Sequence, residues 1–166
     1  MNSKIKTGAL IGAFSFMALG SATLGGNVFA DTTYTSAQFP DANFFDCVKT
    51  RAGVDTASTS ITQAQAESVT PLSCSSSTPI QSTEGIQYLP NITSLTINDY
   101  PNLTSIDLSH NNKLQELFVF DNKSLTSLNL GQQPALKTLF AYNNALQNID
   151  LTNAPALYDE IGRAHV

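Results

Sequence analysis

From residue 92 onward the chain repeats itself. "ITSLTI", "LTSIDL", "LQELFV", "LTSLNL", "LKTLFA" and "LQNIDL" begin at Ile92, Leu103, Leu114, Leu125, Leu136 and Leu146, in steps of 11, 11, 11, 11 and 10 residues. Each unit is apolar at positions 1, 4 and 6, and position 9 is Tyr100, Asn111, Asn122, Gln133, Asn144 and Ala154. Six units in a row exclude chance, and a short period of this kind dictates stacked coils.

The pattern L-x-x-L-x-L-x-x-N is the core of a leucine-rich repeat. The units alternate between "LTSIDLS"-like and "LQELFVF"-like kinds, so the true repeat is a pair of 21–22 residues with two short strands. One coil cannot bury its own leucines, so successive coils share a core. Asn at position 9 suits a bend in which its side chain bonds the backbone of neighbouring coils. Pro101, Pro134 and Pro155 fall in the bends, where a missing N–H costs least.

Side chains along a strand alternate in direction. With Leu117, Val119, Leu139 and Ala141 pointing inward, Phe118, Phe120, Phe140 and Tyr142 point outward. Phe118 to Phe140 and Phe120 to Tyr142 are both steps of 22 residues, which places each pair on neighbouring strands about 4.8 Å apart. The other kind of strand sends out Ser105, Asp107 and Ser109, then Ser127, Asn129 and Gly131, then Asn148, Asp150 and Thr152. One sheet is therefore expected to be aromatic and the other small and polar. The four aromatic residues are the candidate binding surface, and a purely structural ring ladder is the competing reading.

Residues 31–85 read differently, as an N-terminal cap with two short helices. In "FPDANFFDCVKTRAG" Asp41 is a candidate N-cap, Phe44 and Val48 share a face, and Gly53 is a stop. "TQAQAESV" opens with a Thr62-x-x-Gln65 capping box. "FPDANFFDCV", "ITQAQAESVTPLSC" and "STEGIQYLPNITSLTI", followed by the paired units, resemble the secreted, internalin-like leucine-rich-repeat proteins of bacterial surfaces. The resemblance implies a repeat domain that binds other proteins, often in adhesion. Some relatives carry a calcium-loop pattern before the second helix. Here its ligand positions would be Val54, Thr56, Ser58 and Gln65, which are not calcium ligands, so no metal and no cofactor is expected.

The two ends suggest processing and truncation. Residues 1–30 have basic Lys4 and Lys6, an apolar run and small Val28 and Ala30, the marks of a signal peptide, with an uncleaved anchor as the alternative. Removing it takes the net charge from −5 to −7. No basic cluster remains, which excludes nucleic acid and anionic membrane as natural partners, and no membrane span is expected in the mature chain. In an oxidising setting Cys47 and Cys74 are expected to pair, the alternative being two buried thiols.

At the other end Leu157 starts a unit on schedule, but positions 4 and 6 are Glu160 and Gly162. "IGRAHV" also resembles the translation of a widely used sequencing adapter. The adapter's preceding bases, AG, match a GAG codon for Glu160. We expect repeats over 86–159 and a non-native tail over 160–166, which the encoding DNA decides.

The expected fold class is an α+β solenoid: a short helical cap followed by leucine-rich-repeat coils, truncated at the C-terminus. No catalytic set stands out. His110 reads as a solvated bend residue, and Asp107 and Asp150 lie too many coils apart to share an ion. The expected function is non-enzymatic binding of a protein or surface glycan by an adhesin-like module that is secreted or displayed on a bacterial cell. The alternative is the targeting arm of a larger exported enzyme.

Overall fold

The structure, a computed structural model, describes residues 31–74 and 79–161; the expected signal peptide and residues 162–166 of the expected tail lie outside them. The cap begins with strand β1 (Thr33–Thr35), helix α1 (Ala42–Arg51), strand β2 (Ser60–Thr62), helix α2 (Gln63–Ser68) and strand β3 (Pro71–Ser73). A 3₁₀ turn at Ile86–Tyr88 leads into β4 (Ser94–Asn98), β5 (Ser105–Asp107), β6 (Glu116–Phe120), β7 (Ser127–Asn129), β8 (Thr138–Phe140) and β9 (Asp159–Ile161).

Both helices start as their residues dictate. The Asp41 carboxylate accepts from the Phe44 N–H at 3.0 Å and satisfies an orphan donor of α1. In α2 the Thr62 hydroxyl accepts from the Gln65 N–H at 3.2 Å, while the Gln65 side chain accepts from the Thr62 N–H at 2.8 Å. Phe44, Phe45 and Val48 of α1 are buried and join the core.

The cap is not purely helical. β1 and β2 pair antiparallel, and β3 joins the first repeat strand, with Leu72 opposite Leu95. Strands of three residues carry too few alternations to announce themselves. Cys47 and Cys74 form a disulfide that ties α1 to the end of β3. Both Nε and Nη2 of Arg51 donate to the Ser73 carbonyl across the same junction.

The repeats build two parallel sheets. One has the order β3-β4-β6-β8-β9 and the other contains β5 and β7. Position 2 of the units at Ile92, Leu114, Leu136 and Leu157 bonds back to the preceding coil: Thr93 N–H donates to Thr70 O, Gln115 to Thr93, Lys137 to Gln115, and Tyr158 to Lys137. Positions 1, 4 and 6 fill the interior. Leu95, Ile97, Leu103, Leu114, Leu117, Val119, Leu125, Leu136 and Leu139 are all fully buried.

The expected third strand of the polar sheet, over 148–152, does not form; that segment joins no ladder. Two causes act together. The step from Leu136 to Leu146 is 10 residues, so the bend that should deliver the strand is one residue short. Among the described residues no further coil covers it, and Ile149 and Leu151 are only half-buried. The parallel ladder of the aromatic sheet, by contrast, continues as far as Asp159–Ile161, with Leu139 opposite Glu160.

Position 9 works as a column of inward brackets. The Asn111 amide donates to Ile86 O and Leu89 O, and the Gln133 amide donates to Leu108 O and Leu130 O. The Asn144 amide reaches Val119 O and Ala141 O. Position 8 of the aromatic-sheet units turns the corner with positive φ at Asp99, Asp121 and Asn143 (63°, 59° and 56°). Asp and Asn tolerate that left-handed conformation better than other non-glycine residues. Gly131, at φ 64°, passes so close to the coil below that a Cβ would stand 2.5 Å from Ser109 Cα.

Tyr100 takes position 9 of the first unit and is fully buried. Burial pushes its phenol up to about 12, and the carboxylates of Asp99 and Asp41 push the same way. Its unfolded value is about 10, so the neutral phenol's contribution is complete below pH 10 and is lost as pH rises towards 12. Stability should fall by about 2–3 kcal/mol across that window. Denaturant melts of Tyr100→Phe should show a shallower fall, and parallel profiles would refute the assignment.

Candidate functional site

The aromatic site is built by β6, β8 and the corner after β8. In these strands the alternate residues Leu117, Val119, Leu139 and Ala141 are buried, which turns Phe118, Phe120, Phe140 and Tyr142 to the outer face. The register sets Phe118 directly opposite Phe140. Their ring centroids lie 5.2 Å apart with planes inclined at 28°. Phe120 and Tyr142 stack at 5.0 Å and 11°. Each stack contributes about 0.5–1.5 kcal/mol beyond its burial.

Polar residues frame the two stacks. Thr96 and Asn98 of β4 lie opposite Phe118 and Phe120, so the aromatic columns begin at the second coil. Asp121 and Asn143 bound the far end, where the Asn143 amide donates to the Asp121 carboxylate at 2.9 Å. Glu116 is exposed at the near end. All four rings are only half-buried, because each covers part of its neighbour.

The opposite sheet differs. Ser105, Asp107, Ser127 and Asn129 are exposed on its outer face. The Asn129 amide donates to the Asp107 carboxylate at 3.1 Å. Asp107 also accepts from the Ser109 N–H at 2.9 Å, and these bonds, those from Ser109 first, hold its carboxyl below the usual range. Asp150 makes the same turn with the Thr152 N–H, and its carboxyl is lowered in the same way. These carboxylates close turns. His110 is exposed, and its ring nitrogen lies 3.1 Å from the Ser109 hydroxyl.

Tyr158 is missing from the sequence reading of the site. It is the most exposed large apolar side chain among the described residues, at 77%. It occupies position 2 of its unit, where the earlier units carry Thr93, Thr104, Gln115, Thr126, Lys137 and Gln147. Its N–H bond to Lys137 O delivers it to the start of β9, beside the aromatic sheet. The break from polar residues at position 2 was the available signal.

Among the described residues, no group of three or more His, Cys, Asp and Glu side chains is placed to hold a metal ion. No described helix is long and apolar enough to cross a membrane.

No family model and no curated protein matches the sequence. Solved structures do. An internalin (InlF) of Listeria monocytogenes is 24% identical, with a TM-score of 0.54, over 75% of this chain and 44% of its own. The chain thus spans less than half the length of that protein. Internalin C2 of the same species matches at 20% identity and a TM-score of 0.38, over 81% of this chain and 88% of its own. The functional domain of InlJ, also from Listeria monocytogenes, matches at 20% identity and a TM-score of 0.34, over 80% of this chain and 48% of its own. The described chain has the fold of an internalin-like leucine-rich-repeat solenoid with a short helical cap.

Proposed function

We propose that this chain is a non-enzymatic, adhesin-like binding module of an exported bacterial protein, and that it engages a protein through Phe118, Phe120, Phe140 and Tyr142. One observation carries the reading: two stacked ring pairs stand on the outer face of one sheet, while the other sheet presents Ser105, Asp107, Ser127 and Asn129. A stable fold does not need its exterior greasy on one side only, and aromatic residues are preferred anchors of protein interfaces.

The stacking also favours protein over glycan. Each ring gives one face to its partner at 5.0 or 5.2 Å, and Phe118 and Phe120 have Thr96 and Asn98 of β4 on the other side. A sugar stacks on an open ring face, whereas apolar side chains pack well against ring edges.

Selection against a displayed library of extracellular protein domains tests the reading. Binders to the full chain should lose at least about 30-fold in affinity, a hot-spot effect of about 2 kcal/mol, on a Phe118→Ser/Phe140→Ser variant. They should be retained by an Asp107→Ser/Asn129→Ser variant of the polar sheet. Unchanged binding with lost stability would make the rings a structural ladder only.

A further inference from the structure

Lys49 is the one buried charged side chain among the described residues, 5% exposed. A lysine with a buried stem normally lifts its ammonium to water. This one does the reverse. Its Nζ lies 2.5 Å from Thr56 O and 3.0 Å from Ser58 O, both main-chain carbonyls. The Asp46 carboxylate stands 2.8 Å away. An ammonium has three N–H donors and no acceptor, so these three oxygens use all of them. The face of Phe45, 4.8 Å from Nζ to the ring centroid, closes another side.

Carbonyl oxygens and a carboxylate converging on one point are the donor set of a hard cation site. The loop around them is shaped to converge. Gly53 turns it with φ 70°. The Val54 N–H donates to Lys49 O at 2.8 Å, the Ala57 N–H to the Asp55 carboxylate at 2.8 Å and the Ser58 N–H to Asp55 O at 2.9 Å. These bonds bring the Thr56 and Ser58 carbonyl dipoles together, an arrangement that repels itself unless positive charge lies between them.

We propose that Lys49 is the cap's built-in cation: its ammonium fills an oxygen site formed by Thr56, Ser58 and Asp46, and orders residues 54–60 as a bound metal ion would. The loop feeds directly into β2 and the capping box of α2, so the charge on one α1 side chain organises the cap. The cap then needs no metal from solvent.

The test uses the full chain. Lys49→Met keeps an unbranched stem and removes the charge. It should lower Tm by roughly 10 °C and make the 54–60 loop at least tenfold more sensitive to protease. Lys49→Ala should recover part of its Tm in n-propylammonium but not in 1-propanol, and EDTA should leave the parent unchanged. A Lys49→Met protein melting within about 2 °C of the parent would reduce Lys49 to a packed stem. Chelator sensitivity of the parent would place the loop's cation in solvent. If Lys49→Met does not fold, the refolding yield of Lys49→Ala decides: a higher yield in n-propylammonium than in 1-propanol supports the proposal, and equal yields overturn it.

Discussion

Asn122→Ala should lose about 4 kcal/mol of stability, a large share of the 5–15 kcal/mol typical of a native domain. The side chain is fully buried. Its Oδ1 accepts from the Tyr100 N–H at 3.0 Å, and its Nδ2 donates to Ile97 O and Phe120 O, each at 3.0 Å. Alanine takes the partner from the Tyr100 N–H and one donor each from the Ile97 and Phe120 carbonyls, at about 1–3 kcal/mol for each buried group left unsatisfied. Asn122→Asp should be no milder, since it keeps the acceptor, loses both donors and buries a charge. Asn144 makes equivalent bonds one coil later but is only half-buried, so Asn144→Ala should cost less. Urea melts of the two variants check the order. Equal losses, or less than about 1 kcal/mol at Asn122, would remove position 9 as the bracket between coils.

The second large effect is expected at the disulfide. Cys47 and Cys74 are 27 positions apart in sequence, and their bridge encloses β2, α2 and β3. Opening a loop of that length raises the entropy of the unfolded chain and should cost about 3–4 kcal/mol. The double variant Cys47→Ala/Cys74→Ala should therefore melt well below the parent, and reduction of the parent should reproduce the loss. The repeats should keep their parallel ladders longer than the cap does, because β1, β2 and α2 are elements of only three to six residues. Hydrogen exchange can resolve the two regions. A double variant whose cap amides stay as protected as the parent's would show that the Arg51–Ser73 contact and the core suffice without the bridge.

Much of this was legible because a repeat states each rule several times. Leu117 and Val119 could be sent inward, and Phe118 and Phe120 outward, because Leu139, Phe140, Ala141 and Tyr142 repeat the choice 22 residues later. The caps at Asp41 and Thr62 were legible because capping is a local exchange between residues three apart. The polar strand expected over 148–152 fails where the repetition itself weakens, at a bend one residue short. Tyr158 escaped because a single break in a polar position looks like noise until a backbone bond shows which sheet it joins.

The sequence by itself determined the solenoid, its two chemically different faces, the bracket residues and the cysteine pair as a candidate bridge. Those follow from periodicity, alternation and capping, which act over a few residues or recur at fixed steps. Only the tertiary structure decided how β3 joins the repeat sheet, how the rings stack and what holds the loop after α1. The side chains of that loop, Val54, Thr56 and Ser58, are not a calcium-ligand set. The folded chain instead brings the main-chain oxygens of Thr56 and Ser58 to Lys49. Every residue has a carbonyl, so no residue name reveals which ones will converge. The backbone path decides that, and here it brings them around an ammonium.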